Sequence, residues 1–575
     1  MWRLKTRFTP YWATIIAVTI LVFLEVMATL RLPDLMSIIV DQGIATGNIP
    51  LIWRTGAIML AVALAGVVCA VAGNFLASRA STRFGRDLRF DIFRKVGQFS
   101  PRDFNTFGTA SLITRTTNDV QQVQQVFHMG MRMAMRAPLM AIGGVLMVVR
   151  KDSKLALILL GLIPIITLLI GVVIKKGIPL FKSLQQKLDR LNLVLREQLV
   201  GVRVIRAFER RTQEQARFDD ANRDLTDTAL QVNRLMVTLM PLLGLLVNVT
   251  NIAIIWFAAK RIDIGAMQVG DLMAFLQYTM QIFMSVMMLS FIFVMLPRAS
   301  ASAERIVEVL DGDVSVVDPE KPKRIEDGQG VICFEDVTFR YAGAAEPVLS
   351  NISFTAKPGQ TTAIVGGTGS GKSTILNLIP RFYDPESGRI TLDGVDIREL
   401  AQKDLRSRLG YVPQQAMLFS GTVASNIRGG KENASDAEVQ EAARVAQASD
   451  FILEREGGYD SYIAQSGTNV SGGQKQRLSI ARAVVRKPQV YLLDDTFSAL
   501  DYKTDARLRS ELATSADKAT IIVVAQRVST IVHADQIIVL DEGKIVGQGT
   551  HKSLLEDCEV YQEIVASQFG EEAVS

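Results

Sequence analysis

A glycine-rich stretch at residues 366–374, GGTGSGKST, contains residue types that can hold a polyphosphate. It matches the phosphate-binding loop G-x-x-x-x-G-K-[ST], in which glycines let backbone N–H groups approach the phosphates closely. Lys372 is placed to reach the terminal phosphates, and Ser373 to hold Mg2+. The predicted nucleotide-binding residues of this loop are Gly366, Gly367, Thr368, Gly369, Ser370, Gly371, Lys372, Ser373 and Thr374. The sequence therefore predicts binding of a polyphosphate and Mg2+ here.

The elements that must position this loop are a strand before it and a helix after it. Residues 361–365 are a short β-branched run, and residues 375–379 are typical of the start of a helix. From residue 331 onward, short strands alternate with helical runs, which predicts an α/β domain with a largely parallel sheet. Ligands bind at the strand ends of such sheets. Residues 311–330 are polar and contain prolines, so we expect a linker before the domain at 331–575.

The first 310 residues have a different character, that of an all-α membrane domain. A membrane span needs about 20 mostly apolar residues. Six such segments are predicted, at residues 12–32, 57–77, 131–149, 155–174, 235–259 and 272–296. Two long stretches, 78–129 and 175–234, are rich in Arg and Lys and have helical periodicity, so we expect the spans to continue into the cytoplasm as helices. The positive-inside rule then places both termini in the cytoplasm.

Composition limits the partners. Hydrophobic residues make up 49% of the 575, and the formal net charge is +5, so the basic residues are explained by membrane topology and no nucleic-acid partner is expected. The three cysteines are far apart and predict neither disulfides nor a metal site. Arg150, Lys151, Lys154, Lys260 and Arg261 fall in short outward loops and depart from the positive-inside rule.

Glu25 is the acidic residue that stands out within the predicted spans. Intramembrane acids are costly and usually face a cavity or a partner. We expect Glu25 to line the substrate cavity and face cationic compounds; the alternative is an ion pair with Arg31. The last span is rich in methionine, which suits variable apolar ligands but also fills ordinary packing gaps. No cluster of charges within the membrane is expected, so the predicted cavity is large and mainly apolar.

Taken together, the chain resembles a half-transporter of the ATP-binding cassette (ABC) exporter family over almost its whole length. The order of motifs carries this resemblance: phosphate loop, YVPQQAMLF, NVSGGQKQR, VYLLDD and SALD, after a membrane half. The resemblance implies a type I exporter fold: six transmembrane helices with long cytoplasmic extensions, followed by a phosphate-loop nucleotide-binding domain. It also implies coupling helices near residues 104–120 and 201–218, which contact the ATPase domain.

The resemblance assigns roles to further residues. Tyr341 matches the aromatic that stacks on adenine, and Gln414 matches the glutamine that touches Mg2+ and the attacking water. Asp494 matches the aspartate that organises Mg2+, so the implied metal-binding residues are Ser373, Gln414 and Asp494. The family signature is matched by Ser471, Gly472, Gly473 and Gln474, which in this family bind the γ-phosphate held by the opposite subunit. SALD, at residues 498–501, matches the segment that communicates between the two sites.

Two catalytic positions depart from the family pattern. Asp495 replaces the glutamate that polarises the attacking water, and Gln526 replaces the switch histidine. Gln465 also stands where many exporters have a glutamate before the signature. An aspartate carboxylate lies about 1.5 Å further back than that of glutamate, and glutamine cannot carry a proton or charge as histidine can. The pattern resembles the degenerate-site member of heterodimeric exporters, whose own ATP site is slow.

The resemblance implies ATP-driven export of amphipathic or hydrophobic compounds, drug-like or lipid, across a bacterial plasma membrane. The partners would be a second half-transporter, the substrate and the bilayer. An importer of metal-chelator complexes and an ATP-gated sensor on the same fold remain as alternatives. A soluble DNA-repair ATPase uses similar loops, but the six apolar spans exclude it.

Overall fold

The computed structural model describes residues 5–498, 500–516 and 518–569, without the side chains of Lys5, Ser290, Phe293 and Val294. The chain divides into two compact units. The membrane unit comprises Met1–Gly97 and Ala110–Gly312, and the nucleotide unit comprises Gln98–Thr109 and Asp313–Ser575. Ala499, within the predicted SALD segment, lies outside the described residues.

Residues 5–311 contain ten α-helices, of which six are long. They are Lys5–Phe8 (α1), Trp12–Ile38 (α2), Ile49–Val96 (α3), Pro101–Phe107 (α4, which belongs to the nucleotide unit), Thr109–Thr114 (α5), Val120–Lys151 (α6), Ser153–Val200 (α7), Val202–Ala207 (α8), Arg211–Asp263 (α9) and Val269–Asp311 (α10). Two π-helical turns, Ile39–Ile44 and Arg115–Asp119, continue α2 and precede α6. Among the described residues, six helices are long and apolar enough to cross a membrane, which confirms the predicted number of spans.

Ion pairs join the spans at the end opposite their long extensions. Lys151 Nζ lies 3.0 Å from an oxygen of Asp34 and 2.8 Å from one of Asp271. Arg261 Nε lies 2.5 Å from Asp152 Oδ2. Two of the five basic residues that depart from the positive-inside rule, Lys151 and Arg261, are therefore paired with carboxylates in the folded chain.

A charge cluster lies within the spans, so the expectation that there is none is wrong. Glu25 is 5% exposed, and its two carboxylate oxygens lie 3.2 Å from Arg132 Nη2 and 3.0 Å from Arg136 Nη1. The alternative partner, Arg31, is paired with Asp34 instead. A carboxylate facing two guanidinium groups is not a site for a cation, so the predicted cation-facing role of Glu25 is also wrong.

The two predicted coupling segments are less regular than one helix each. In the first, α4 ends at Phe107, and Gly108 separates it from α5 and the π-helical turn that follows. Within the nucleotide unit, Ser100 Oγ lies 2.7 Å from Ser315 Oγ, and Asp103 accepts a hydrogen bond from the Ser315 amide. In the second segment, Glu209 has φ 53°, so the chain breaks between α8 and α9.

Because of this break, Arg206 and Arg210 do not share one helix: α8 ends at Ala207 and α9 begins at Arg211. Phe208 lies in the break and is 73% exposed. Both segments remain predictions as coupling elements.

The nucleotide unit alternates strands and helices from residue 332 onward. Its strands are Ile332–Phe339 (β1), Leu349–Ala356 (β2), Thr361–Gly366 (β3), Ser387–Leu392 (β4), Val395–Asp396 (β5), Leu409–Val412 (β6), Gly421–Thr422 (β7), Tyr462–Ile463 (β8), Val490–Asp494 (β9), Thr520–Val524 (β10), Gln536–Asp541 (β11) and Lys544–Gly549 (β12). Its helices are Lys372–Leu378 (α11), Gln402–Ser407 (α12), Val423–Arg428 (α13), Asp436–Val445 (α14), Ser449–Leu453 (α15), Gly472–Val484 (α16), Tyr502–Ser515 (α17), His551–Asp557 (α18) and Glu559–Phe569 (α19).

The main sheet has the strand order β12-β11-β3-β10-β9-β6, and only the β11–β12 pair is antiparallel. An antiparallel sheet, β2-β1-β4-β5, lies beside it, and β7 pairs with β8. Alternate residues of β3 point to opposite faces: Ile364 joins one hydrophobic core, and Ala363 and Val365 join the other. The central strands are therefore buried on both faces, as parallel strands usually are.

The topology can be tested by cysteine labelling. We expect a cysteine at exposed Thr46, between α2 and α3, to react with an impermeant reagent added to whole cells, and one at exposed Ser567 not to react until the cells are lysed. Both cysteines are introduced singly into a variant in which Cys69, Cys333 and Cys558 are replaced by serine. That cysteine-free variant is the unlabelled control. Labelling of both positions from outside would contradict cytoplasmic termini.

Candidate nucleotide site

Three neighbouring strands bring the predicted site residues to one edge of the main sheet. Val524, at the end of β10, pairs in parallel register with Asp494 of β9 on one side and Ile364 of β3 on the other. The chain leaving β3 is the phosphate loop, that leaving β9 reaches Asp495, and that leaving β10 reaches Gln526. Because parallel strands end at the same edge, residues more than 150 positions apart in the chain share one site.

The phosphate loop folds as its glycines predict. Gly369 and Gly371 have φ of 87° and 98°, a region that L side chains rarely adopt. A Cβ added at Gly366 would lie 2.1 Å from the carbonyl oxygen of Leu540, and one at Gly371 would lie 2.5 Å from Leu349 Cδ2. One side of the loop therefore packs against Leu540 and Leu349, which leaves no room for a side chain at Gly366 or Gly371. With glycine at these positions, the backbone N–H groups on the other side of the loop can face a phosphate.

Lys372 and Ser370 carry the polar side chains that fit a phosphate. Lys372 Nζ donates to the carbonyls of Gly366 and Gly367, at 2.9 and 2.6 Å, and burial lowers the pKa of this ammonium although Asp495 and Asp494 raise it. Ser370 is 5% exposed, and its Oγ is buried with no hydrogen-bond partner. A buried hydroxyl without a partner is costly, and a phosphate oxygen would satisfy it.

Ser373 and Asp494 form the predicted magnesium pair. Ser373 Oγ donates to Asp494 Oδ1 at 2.9 Å. Burial raises the pKa of Asp494, and the charge of Asp495 adds to this, while Ser373 and Lys372 oppose it. A hydroxyl and a carboxylate are oxygen ligands of the kind Mg2+ takes, and a divalent cation would relieve the crowding of the two carboxylates.

Gln414 and Asp495, the predicted water-positioning residues, touch each other. Gln414 Nε2 donates to Asp495 Oδ2 at 3.3 Å, although the two residues lie on different loops. Asp495 has φ 43°, and its amide donates to the Val524 carbonyl at 3.0 Å. Aspartate is among the non-glycine residues that tolerate this left-handed conformation. Asp495 is 8% exposed, so its carboxylate is held in an enclosed position between β9 and β10.

Gln526 follows β10 by two residues and is exposed. Its backbone is held by Gln568 of the C-terminal helix α19: Gln568 Nε2 donates to the Gln526 carbonyl at 2.8 Å, and Gln568 Oε1 accepts from the Val528 amide at 2.8 Å. One side-chain amide therefore clamps the backbone from the Gln526 carbonyl to the Val528 amide, directly after the predicted switch side chain. The sequence analysis missed Gln568, because no local pattern links it to a residue 42 positions earlier.

Tyr341 lies just after β1, beside the phosphate-loop helix. Its hydroxyl lies 3.1 Å from Thr374 Oγ1, and its ring meets Phe339 and Tyr383 edge-on, with centroids 4.9 and 5.4 Å away. The ring thus borders a pocket of about 460 Å³ that Arg102 of α4 also lines. This position suits a base that stacks at the rim of the phosphate site.

The signature residues lie at the start of helix α16. Ser471 caps this helix, accepting from the Gln474 amide at 3.3 Å, and Gln474 Oε1 accepts from the Ser471 amide at 3.0 Å. Ser471 and Gly472 are exposed, so the helix N-terminus is presented to the surroundings. A helix N-terminus with free N–H groups attracts anions.

The residues present therefore fit ATP and Mg2+. The packed glycine loop, the buried Ser370 hydroxyl without a partner and the Ser373–Asp494 pair together provide phosphate and metal contacts. Six apolar spans and a nucleotide unit in one chain define a membrane protein that carries its own ATPase.

Comparisons with known proteins agree with this class. A family model described as "ABC transporter transmembrane region" matches residues 15–286, and one described as "ABC transporter" matches residues 349–498. An uncharacterized ABC transporter ATP-binding protein of Mycobacterium tuberculosis is 45% identical over 98% of this chain and 97% of its own length. The ATP-dependent lipid A-core flippase of Chromobacterium violaceum is 30% identical over 99% of this chain and 97% of its own length.

A solved structure of a bacterial Atm1-family ABC exporter with ATP bound is similar with a TM-score of 0.80 and 26% identity, covering 97% of this chain and 98% of that one. The chain belongs to the ABC transporter family and has the exporter half-transporter architecture, with ATPase activity coupled to transport. The predicted fold class is thus confirmed.

We expect Gln568→Ala to loosen the switch loop. Hydrogen–deuterium exchange at the Val528 amide should quicken, because its acceptor is lost. Gln568→Glu keeps that acceptor but loses the donor to Gln526, so it should restore protection at Val528 only. Gln562→Ala is the matched control. Gln562 lies on α19 as Gln568 does, and its Nε2 donates to the Leu555 carbonyl, away from the switch loop. Unchanged exchange in Gln568→Ala would refute the clamp.

Proposed function

We propose that this chain is one half of a heterodimeric exporter that moves amphipathic or hydrophobic compounds, drug-like or lipid, out of a bacterial cell. Its membrane domain spans residues 1–310, a linker spans 311–330, and the ATPase domain spans 331–575. The protein lies in the plasma membrane with both termini and the ATPase domain in the cytoplasm. The flippase among its relatives supports a lipid-like substrate, since that protein's name specifies lipid A-core.

In this proposal Tyr341 holds the adenine and the loop residues 366–374 hold the phosphates. Mg2+ is bound by Ser373, Gln414 and Asp494. Asp495 and Gln526 occupy the catalytic positions, and Ser471, Gly472, Gly473 and Gln474 complete the partner subunit's ATP site.

The observation that carries the proposal is the pair of substitutions at the end of β9 and β10. The Asp495 carboxylate, already in contact with Gln414, is one methylene shorter than glutamate would be. Misplacement of a catalytic group by about 1 Å can cost on the order of a hundredfold in rate. Gln526 supplies no imidazole to sense or stabilise the γ-phosphate. Binding is unaffected by these changes, so this chain's own site holds Mg-ATP and hydrolyses it slowly.

We predict that Ser471→Ala abolishes most ATP hydrolysis by the purified complex, whereas Asp495→Ala changes it by less than about twofold. The reason is that Ser471 serves the partner's fast site, whereas Asp495 belongs to the slow one. Since Ser471 also caps α16, Ser435→Ala is the matched control: Ser435 caps α14 with the same paired hydrogen bonds.

Steady-state ATPase assays of each variant, with the melting temperature recorded, decide the assignment. Ser435→Ala should retain activity at a similar loss of stability. Near-complete loss in Asp495→Ala with little effect of Ser471→Ala would show that the slow and fast sites are assigned the wrong way round.

Phe208 is proposed to couple the spans to an ATPase domain. It is 73% exposed in a break flanked by basic residues, an arrangement typical of an aromatic anchor within a polar rim. Phe208→Ala should leave ATP binding unchanged while removing the stimulation of ATPase by transported compound. Phe90→Ala, an equally large exposed ring on α3, is the control, and survival of stimulation in Phe208→Ala would move the coupling elsewhere.

A further inference from the structure

The charge cluster inside the spans carries more positive than negative charge. Each oxygen of Glu25 meets one guanidinium, from Arg132 and from Arg136, and no other described carboxylate pairs with these two arginines. The cluster thus has a surplus of one positive charge.

The three charged side chains differ in how open they are. The Glu25 side chain is 6% exposed, whereas those of Arg132 and Arg136 are 18% and 34% exposed. The carboxylate is therefore enclosed behind the two guanidinium groups, which keep open faces on this chain. A guanidinium has five N–H donors, so both arginines have donors left after pairing with Glu25.

An apolar groove of about 530 Å³ runs between the same two helices, α2 and α6. It is lined by Thr19, Ile20, Phe23, Ala134, Met135, Pro138 and Leu139. Met135 and Leu139 are three residues beyond Arg132 and Arg136, so they are their neighbours on the helix surface. The groove and the arginines are thus adjoining parts of one surface, with a hydrocarbon-compatible part and a cationic part.

The depth of the cluster follows from its distance, along α6 and along α2, to the ion pair between Lys151 and Asp34. Lys151, at the far end of α6, is 15 residues beyond Arg136, which corresponds to about 22 Å along the helix. The hydrocarbon core of a bilayer is about 30 Å thick. The Arg136 backbone therefore lies in the half of the membrane nearer the long extensions. Glu25, however, is nine residues or about 14 Å along α2 from Asp34, the partner of Lys151, so the paired side chains reach toward the middle of the membrane.

We propose that Arg132 and Arg136 bind the anionic group, phosphate or carboxylate, of an amphiphile whose hydrocarbon chain occupies the groove beside them. Glu25 holds the two guanidinium groups in place and balances one of their charges. The site deepens the proposed function by naming an anionic substrate class, and it rests on that function for the direction of movement but not for binding.

Binding is tested with the purified complex in dodecyl maltoside, using fluorescent-acyl phosphatidylglycerol and the phosphatidylcholine with the same chains as probes. Anisotropy should show tighter binding of phosphatidylglycerol. Arg136→Gln and Arg132→Gln should each weaken it by about tenfold, the order expected for one charge-assisted hydrogen bond. Arg150→Gln removes an exposed arginine from the same helix and should change nothing.

Glu25→Gln separates the proposed role from a purely structural one. It removes the competing carboxylate and should tighten phosphatidylglycerol binding, whereas a structural role predicts weaker binding of both lipids. The triple variant Glu25→Gln/Arg132→Gln/Arg136→Gln removes all three charges of the cluster and should bind the two lipids equally. Equal binding of both lipids by the unmodified protein, or the same affinities in the arginine variants, would overturn the proposal.

Two further measurements separate related outcomes. Glycerol phosphate should not displace the lipid probe at equal concentration. Displacement would show that the site binds a soluble anion and would contradict the proposal that it binds an amphiphile. ATPase stimulation by added phosphatidylglycerol is measured separately, in phosphatidylcholine vesicles. Selective binding without stimulation would support the anion site and contradict the proposed export function. Equal stimulation by both lipids that the arginine substitutions do not change would contradict the anion site and remain consistent with export.

Discussion

The parallel register of β3, β9 and β10 is the constraint on which the nucleotide site depends. Val524 lies between Ile364 and Asp494, so the three chains leave the sheet at one edge. A slip of β10 by one residue would turn its buried side chains to the wrong core, which gives the register strong support from packing on both faces. The positions of the predicted catalytic residues are therefore consequences of hydrophobic burial far from them.

Within that edge, the site combines rigid and adjustable parts. The phosphate loop is packed against Leu540 and Leu349, so it cannot accept side chains at Gly366 or Gly371. The switch position, by contrast, is exposed, and its backbone is braced by a single side chain from the last helix. In the proposed function, the rigid loop holds the nucleotide, whereas the altered positions Asp495 and Gln526 make its hydrolysis slow.

The membrane unit contains charged side chains that are buried among its helices. Burying a charge in a low-dielectric region is costly unless it is paired. Lys151 is shared between Asp34 and Asp271, and Arg261 is paired with Asp152, at one end of the spans. Deeper in, two arginines share one glutamate, which leaves a positive surplus beside an apolar groove. This unequal pairing makes the cluster a candidate for ligand recognition rather than for structure alone.

The sequence by itself determined the six spans, the α/β class and the phosphate loop, because hydrophobic length, strand–helix alternation and glycine spacing are local properties of the chain. It also contained Arg132 and Arg136 within the third apolar segment, but only tertiary packing of α2 against α6 decided that Glu25 faces them rather than Arg31. The break at Glu209 and the reach of Gln568 to the switch loop were likewise decided by backbone conformation and by helix packing. Such contacts join residues far apart in the chain, and their distances depend on how whole elements pack, for which a local pattern holds no information.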